Sequence, residues 1–183
     1  MIAIKVGIAT INAEINVTNK TFVTWAEIQK LSEEICRQVS LDGWRPDYIV
    51  GITRGGLVPS VIISHWLKCD LHTLKVQFRD GVDGNKEHNL WMADDAFEGK
   101  KILIVDDIKD TSATIDWIKE DWMSSHLPND PRWDDVWGNN VRVAILYDKV
   151  FRESKIPVSY SGVEITLDTA DKMGWIVFPW EKS

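Results

Sequence analysis

Residues 100–114, KKILIVDDIKDTSAT, set the apolar run Ile102 to Val105 directly before two adjacent carboxylates, Asp106 and Asp107. A third carboxylate, Asp110, precedes hydroxyl-bearing and small residues. Asp110-Thr111-Ser112-Ala113-Thr114 reads as a turn that opens a helix. Free backbone amides, the helix dipole and three hydroxyls then make an anion cradle suited to a phosphate. Paired carboxylates beside a phosphate repel it unless they have partners of their own. The partners that fit are a vicinal diol, which donates two hydrogen bonds, or a divalent cation such as Mg2+. Phosphate, diol and metal together describe a ribose phosphate. The plainer alternative is a solvated acidic turn with Thr111 or Asp110 as the helix cap. The spacing is not that of a Walker A loop, a G-x-G-x-x-G dinucleotide turn or a calcium loop.

A second turn, GITRGGLVPS at 51–60, also lies between a strand pattern and a helix pattern. Gly55 and Gly56 let the backbone approach a ligand closely, and Arg54 adds a forked charge suited to phosphate oxygens. Taken alone, this is equally well a plain strand-to-helix turn. The two turns would lie at one edge of the same sheet, and that pairing gives both more weight.

The elements that must position these turns alternate along the chain. Residues 47–52 read as a strand, 57–67 as a helix with Pro59 in its first turn, and 71–78 as a strand. Residues 79–100 are polar and glycine-punctuated, and they form a candidate active-site loop. Residues 102–105 read as a strand buried on both faces, 113–123 as a helix and 141–147 as another strand. Earlier, 24–39 carries Ile28, Leu31, Ile35 and Val39 on one helical face, with Thr24 and Glu27 as a capping box. Residues 124–140 read as an inserted excursion whose aromatics dock on the body or on a neighbouring subunit. The pattern is α/β, doubly wound, with a mainly parallel sheet.

Composition sets the outer bounds. The 183 residues, 44% hydrophobic and 27% charged, suit a single soluble domain spanning 1–183. A net charge of −7 argues against broad nucleic-acid binding, which needs a clustered basic face. No signal peptide or integral membrane segment is expected. With only Cys36 and Cys69, neither a disulfide framework nor a zinc site is suggested, and a reducing cytoplasm fits best. Ten tryptophans are an unusual load, available as core filler, interface anchors or stacking platforms.

ILIVDDIKDTSAT resembles the phosphoribosyl-pyrophosphate signature of the type I phosphoribosyltransferases, and GITRGGLVP resembles that family's pyrophosphate loop. FVTWAEIQ and WIVFPWE are similar to the two ends of its bacterial xanthine-guanine branch, so the resemblance spans roughly residues 22–181. Ser112 and Ala113 depart from the glycine and small residue usual in the signature, and Gln77-Phe78-Arg79 replaces a usual Ser-Tyr pair. Residues 1–20, an N-terminal extension, and 124–140, an insertion, have no counterpart.

The resemblance implies a type I phosphoribosyltransferase fold with a small hood formed by the chain ends. It also implies transfer of a phosphoribosyl group from phosphoribosyl pyrophosphate to a 6-oxopurine with Mg2+. Arg54 and Gly55 would hold pyrophosphate, and Asp106 and Asp107 the ribose hydroxyls and, through Asp107, the metal. Asp110, Thr111, Ser112, Ala113 and Thr114 would hold the 5′-phosphate, with Lys86 as a basic loop residue. Asp110 would accept the purine proton, Lys149 would donate to the 6-oxo group, Trp175 would stack on the ring and the Ile176 carbonyl would face the 2-position. For Lys149 and Trp175 the blander reading is a solvated strand end and a core residue. A homo-oligomer, dimer or tetramer, is expected. The rival readings are a ligand-sensing regulator of the same fold and a transferase for another base.

Overall fold

Residues 19–79, 82–86 and 88–181 are described by the structure, a computed structural model. Most of the N-terminal extension therefore lies outside the described residues. A short strand, β1 (Lys20–Phe22), leads into α1 (Trp25–Leu41). The capping box expected there is present: the Glu27 amide donates to the Thr24 hydroxyl at 3.2 Å and the Thr24 amide donates to the Glu27 carboxylate at 2.7 Å. There follow β2 (Tyr48–Thr53), α2 (Leu57–Leu67), β3 (Asp70–Arg79), β4 (Val82–Lys86) and α3 (Leu90–Phe97). The second half runs β5 (Ile102–Lys109), α4 (Ala113–Ser125), a one-turn α5 (Trp133–Val136) and β6 (Val141–Lys149). It ends with β7 (Tyr160–Ile165), α6 (Leu167–Met173) and β8 (Trp175–Val177).

Six strands form one sheet in the order β4-β3-β2-β5-β6-β7, parallel except for the antiparallel edge strand β4. Strand alternation splits the core. Val50, Ile52, Ile102, Ile104, Val143 and Ile145 pack with Ile118 and Trp122 of α4, Phe97 of α3 and Trp133 of α5. Ile49, Leu103, Val105, Ala144 and Leu146 pack with Ile28 and Ile35 of α1 and Ile63 of α2. The strand order reverses between β2 and β5, so the carboxyl ends of these neighbours open the crevice where doubly wound sheets bind ligands. β1 and β8 pair as a separate two-stranded parallel sheet, with Thr21 opposite Ile176, and this is the hood.

Three segments differ from the sequence expectation or refine it. Within 79–100, β4 pairs with β3, and α3 buries Met92, Ala93, Ala96 and Phe97. Four apolar residues two by two on one helical face outweigh the polar character of their surroundings. β5 continues four residues past Val105, because main-chain pairing with β6 runs on through Asp106, Ile108 and Lys109 whatever their side chains. Residues 124–140 dock on the body: Trp133 stacks on Trp137 with centroids 6.0 Å apart, and Trp137 lies 5.7 Å from Trp122.

Candidate active site

Asp106 and Asp107 occupy the last turns of the β5 ladder, at the switch point, rather than a loop beyond it. Both are half-buried, and the Asp107 amide donates to the Asp106 carboxylate at 3.0 Å. Among the described residues neither carboxylate has a cation partner. Burial, followed by the Asp107 charge, pushes Asp106 well above the ordinary carboxylate range. Burial also pushes Asp107 up to about 6, with Glu181 adding its charge. Two such groups are hard oxygen donors that lack a countercharge.

The second turn is built against this pair. A Cβ at Gly55 would lie 1.9 Å from Oδ2 of Asp107, and one at Gly56 would lie 2.4 Å from the Val105 carbonyl oxygen. Any larger residue at Gly55 has to displace the carboxylate. Arg54 is exposed and makes no ion pair among the described residues. The peptide bond before it, Thr53–Arg54, is cis.

Residues 110–114 form the turn that opens α4. Ser112, at φ 63°, caps α4 in the left-handed region, a conformation that costs a side-chain-bearing residue about 1–2 kcal/mol. It is buried, and its hydroxyl has no hydrogen-bond partner. Ala113 and Thr114 start the helix, and Thr111 is exposed ahead of it. Neither Asp110 nor Thr111 caps α4, so the plain capping alternative is not the one realised. The Asp110 carboxylate instead accepts from the Lys149 ammonium at the end of β6.

Trp175 is 59% exposed on β8 rather than in the core, and its amide donates to the Asn19 carbonyl at 3.0 Å. The Ile176 side chain is buried in the core beneath the hood, which leaves its backbone on the strand opposite Thr21. Tyr147, two residues before Lys149, meets Phe178 edge-on at 5.8 Å and so ties the hood to the end of β6. Lys86, the last residue of β4, lies over the Trp117 ring of α4 at 5.3 Å from its centroid. The side chains of Gln77, Phe78 and Arg79 lie outside the described residues.

Two features escaped sequence reasoning. Lys109 and Asp148, both buried, form an ion pair at 2.7 Å. They can be recognised as partners only once the β5–β6 register is known. Glu181, near the end of the chain, accepts from the Phe178 amide at 2.9 Å and bears electrostatically on Asp107.

Among the described residues no cluster of three or more His, Cys, Asp or Glu side chains could hold a metal by itself. A cation at Asp106 and Asp107 would draw its other oxygens from a substrate or water. That is the habit of Mg2+, which is bound through one or two carboxylates and substrate phosphates.

The family model described as phosphoribosyl transferase domain matches residues 19–181. The xanthine-guanine phosphoribosyltransferase of Roseobacter denitrificans is 27% identical over 172 residues, covering 87% of this chain and 84% of that protein. Xanthine phosphoribosyltransferase 1 of Saccharomyces cerevisiae is 26% identical over 193 residues, covering 88% and 90%. Among solved structures, a purine phosphoribosyltransferase from Pyrococcus horikoshii superposes with a TM-score of 0.63 at 25% identity, covering 90% of this chain and 95% of that one.

Proposed function

The chain belongs to the phosphoribosyl transferase family, and on that premise we propose that it transfers the 5-phosphoribosyl group from phosphoribosyl pyrophosphate to a 6-oxopurine. Guanine, xanthine and hypoxanthine are the candidate acceptors. The observation that carries the reading is the uncompensated Asp106–Asp107 pair, with Asp107 wedged against Gly55, together with the buried and unpartnered hydroxyl of Ser112 at the start of α4. An acidic pair without a countercharge next to an anion cradle suits a ligand carrying both a diol and phosphates.

In this reading residues 110–114 hold the 5′-phosphate, Asp106 and Asp107 accept from the ribose hydroxyls, and Arg54 with the Gly55 backbone holds pyrophosphate. Asp107 would hold Mg2+, whose positive charge would neutralise the pyrophosphate. The bond from the anomeric carbon to pyrophosphate breaks as a purine ring nitrogen bonds to that carbon, through a transition state of oxocarbenium character. Asp110 takes the proton that the ring nitrogen loses. Lys149 donates to the 6-oxo oxygen, Trp175 stacks on the ring and the Ile176 carbonyl faces the 2-position. Lys86 adds charge on the loop side.

Among the described residues no helix is long and apolar enough to cross a membrane, and both cysteines are free. We assign the enzyme to the cytoplasm, as one domain with 124–140 as a docked insertion. The test is product formation from phosphoribosyl pyrophosphate and Mg2+ with a panel of bases. Nucleoside monophosphate and pyrophosphate are expected with a 6-oxopurine. Turnover only with orotate, adenine or uracil, or with no base at all, overturns the reading.

A further inference from the structure

Lys109 and Asp148 stand in register on β5 and β6, with Nζ and Oδ1 2.7 Å apart and each side chain less than a tenth exposed. Around them the same strands carry Ile102 to Val105 and Val143 to Tyr147, nearly all apolar and buried. A lysine and an aspartate taken out of water at such a place lose hydration that their attraction barely restores. An apolar pair of equal volume is often as stable or more so. Stability alone therefore does not account for charges at these positions.

Their place in the sequence does. The residue after each of them is Asp110, just past the end of β5, and Lys149, the last residue of β6, and these form their own ion pair. Two consecutive cross-strand pairs thus lace the ends of β5 and β6 where the backbone turns into the cradle. The inner pair is buried and the outer pair is half in solvent, with the Asp110 side chain 51% exposed and that of Lys149 22%. An outer pair that exposed is weak on its own, since water screens it and both side chains have rotamers to lose. The inner pair sets the stagger of the two strand ends and hence where the outer carboxylate and ammonium point.

We infer that Lys109 and Asp148 are positioning residues that act through Asp110 and Lys149 to fix the purine-facing end of the site without touching substrate. The inference rests on the roles proposed above for those two residues. It predicts that purine and phosphoribosyl pyrophosphate respond differently, because Asp110 and Lys149 face the purine, whereas residues 111–114 of the cradle and the Asp107–Gly55 contact lie on other stretches of backbone.

The experiment compares wild type with the double variant Lys109→Met/Asp148→Leu, which replaces the buried charges together. The variant is expected to melt near wild type. Its kcat/KM for the purine should fall by about 10²-fold, the scale for a small misplacement of a reacting group, while the KM for phosphoribosyl pyrophosphate stays within about twofold. A folded double variant with wild-type purine constants overturns the inference, as does an equal loss for both substrates. Should the double variant not fold, Asp148→Glu keeps the charge and adds one methylene; an unchanged purine KM there also overturns it. Wild-type protein that turns over no purine brings down the proposed function and this inference together. Turnover by wild type with an unaffected variant brings down this inference alone.

Discussion

Within five residues, Asp106 to Asp110, the end of β5 and the residue after it treat their charges in two opposite ways. Asp106 and Asp107 sit at the switch point, half-buried, with no cation among the described residues and with burial raising both carboxyls. Lys109 and Asp110 each meet an opposite charge on β6, one pair buried and one half-exposed. The same strand, with the same neighbours, could have compensated both regions. On the proposed function, charge is left uncompensated where a ligand with its own donors or metal would enter. It is compensated where side-chain direction would matter and the ligand would bring little charge, as a neutral purine does. The two regions should therefore respond to substitution in opposite ways.

The largest effect is expected at the compensated end. Asp110→Asn keeps the size of the side chain and removes the proton acceptor, so kcat on the preferred purine should fall by about 10²–10⁴-fold. Stability should change by less than about 1 kcal/mol, because the pair that is lost is largely solvated. Steady-state kinetics together with a thermal melt reads both. A near-normal kcat would erase the distinction between the two halves of β5 as far as chemistry is concerned.

What was legible in the sequence follows the same division. The apolar runs announced β2, β5 and β6, the Thr24–Glu27 spacing announced the start of α1, and the DD-x-x-D-hydroxyl string marked out a candidate site because such residues have few uses in a buried strand end. What stayed hidden depends on distance in space. The Lys109–Asp148 pair needs the β5–β6 register, and the clash that fixes Gly55 as glycine needs the position of Asp107 across the crevice. α3 was hidden for a local reason: one buried face of eight residues carries too little periodicity to stand out from a polar segment. The hood of the two chain ends was expected, but only from the family resemblance, because its β1–β8 pairing joins residues more than a hundred apart and no local pattern reports it.

At the uncompensated end, substitution should stabilise the protein while abolishing binding. Asp107 titrates near 6 in the folded chain against about 3.9 unfolded. An acid whose folded value is raised favours folding while protonated. With Asp106 raised as well, the stability of the ligand-free protein should therefore decline as pH rises from about 4 through 6 and go on declining above that as Asp106 loses its proton. Asp107→Asn carries no such penalty, so above pH 6 it should be more stable than wild type by on the order of 1–3 kcal/mol. Phosphoribosyl pyrophosphate with Mg2+ should raise the melting temperature of wild type and not of the variant, and in wild type its binding should weaken as pH falls below about 6. Denaturant titrations across pH, with and without both ligands, decide this. A variant that is no more stable at pH 7.5 would mean that the pair already has a partner and that the contrast along β5 is not one of charge.

The smallest effect belongs to Trp175, which extends the comparison from charge to shape. Its indole is 59% exposed on the hood, tethered through the main chain rather than by packing of the ring. Removing the ring should therefore leave stability within about 0.5 kcal/mol of wild type, as at other surface positions. If the ring stacks on the purine, Trp175→Ala should weaken purine nucleotide binding by about 1 kcal/mol, the low end for base stacking, because solvent already shares the exposed indole. Binding of phosphoribosyl pyrophosphate should hold, since its cradle lies on β5, α4 and the turn after β2. Tryptophan fluorescence offers a second readout: the nucleotide-dependent quench in wild type should shrink in the variant, although nine tryptophans remain of the ten. A loss of both ligands together would assign Trp175 to the fold of the hood rather than to the base. Retention of both would leave the compensated end of β5, through Asp110 and Lys149, to recognise the purine alone.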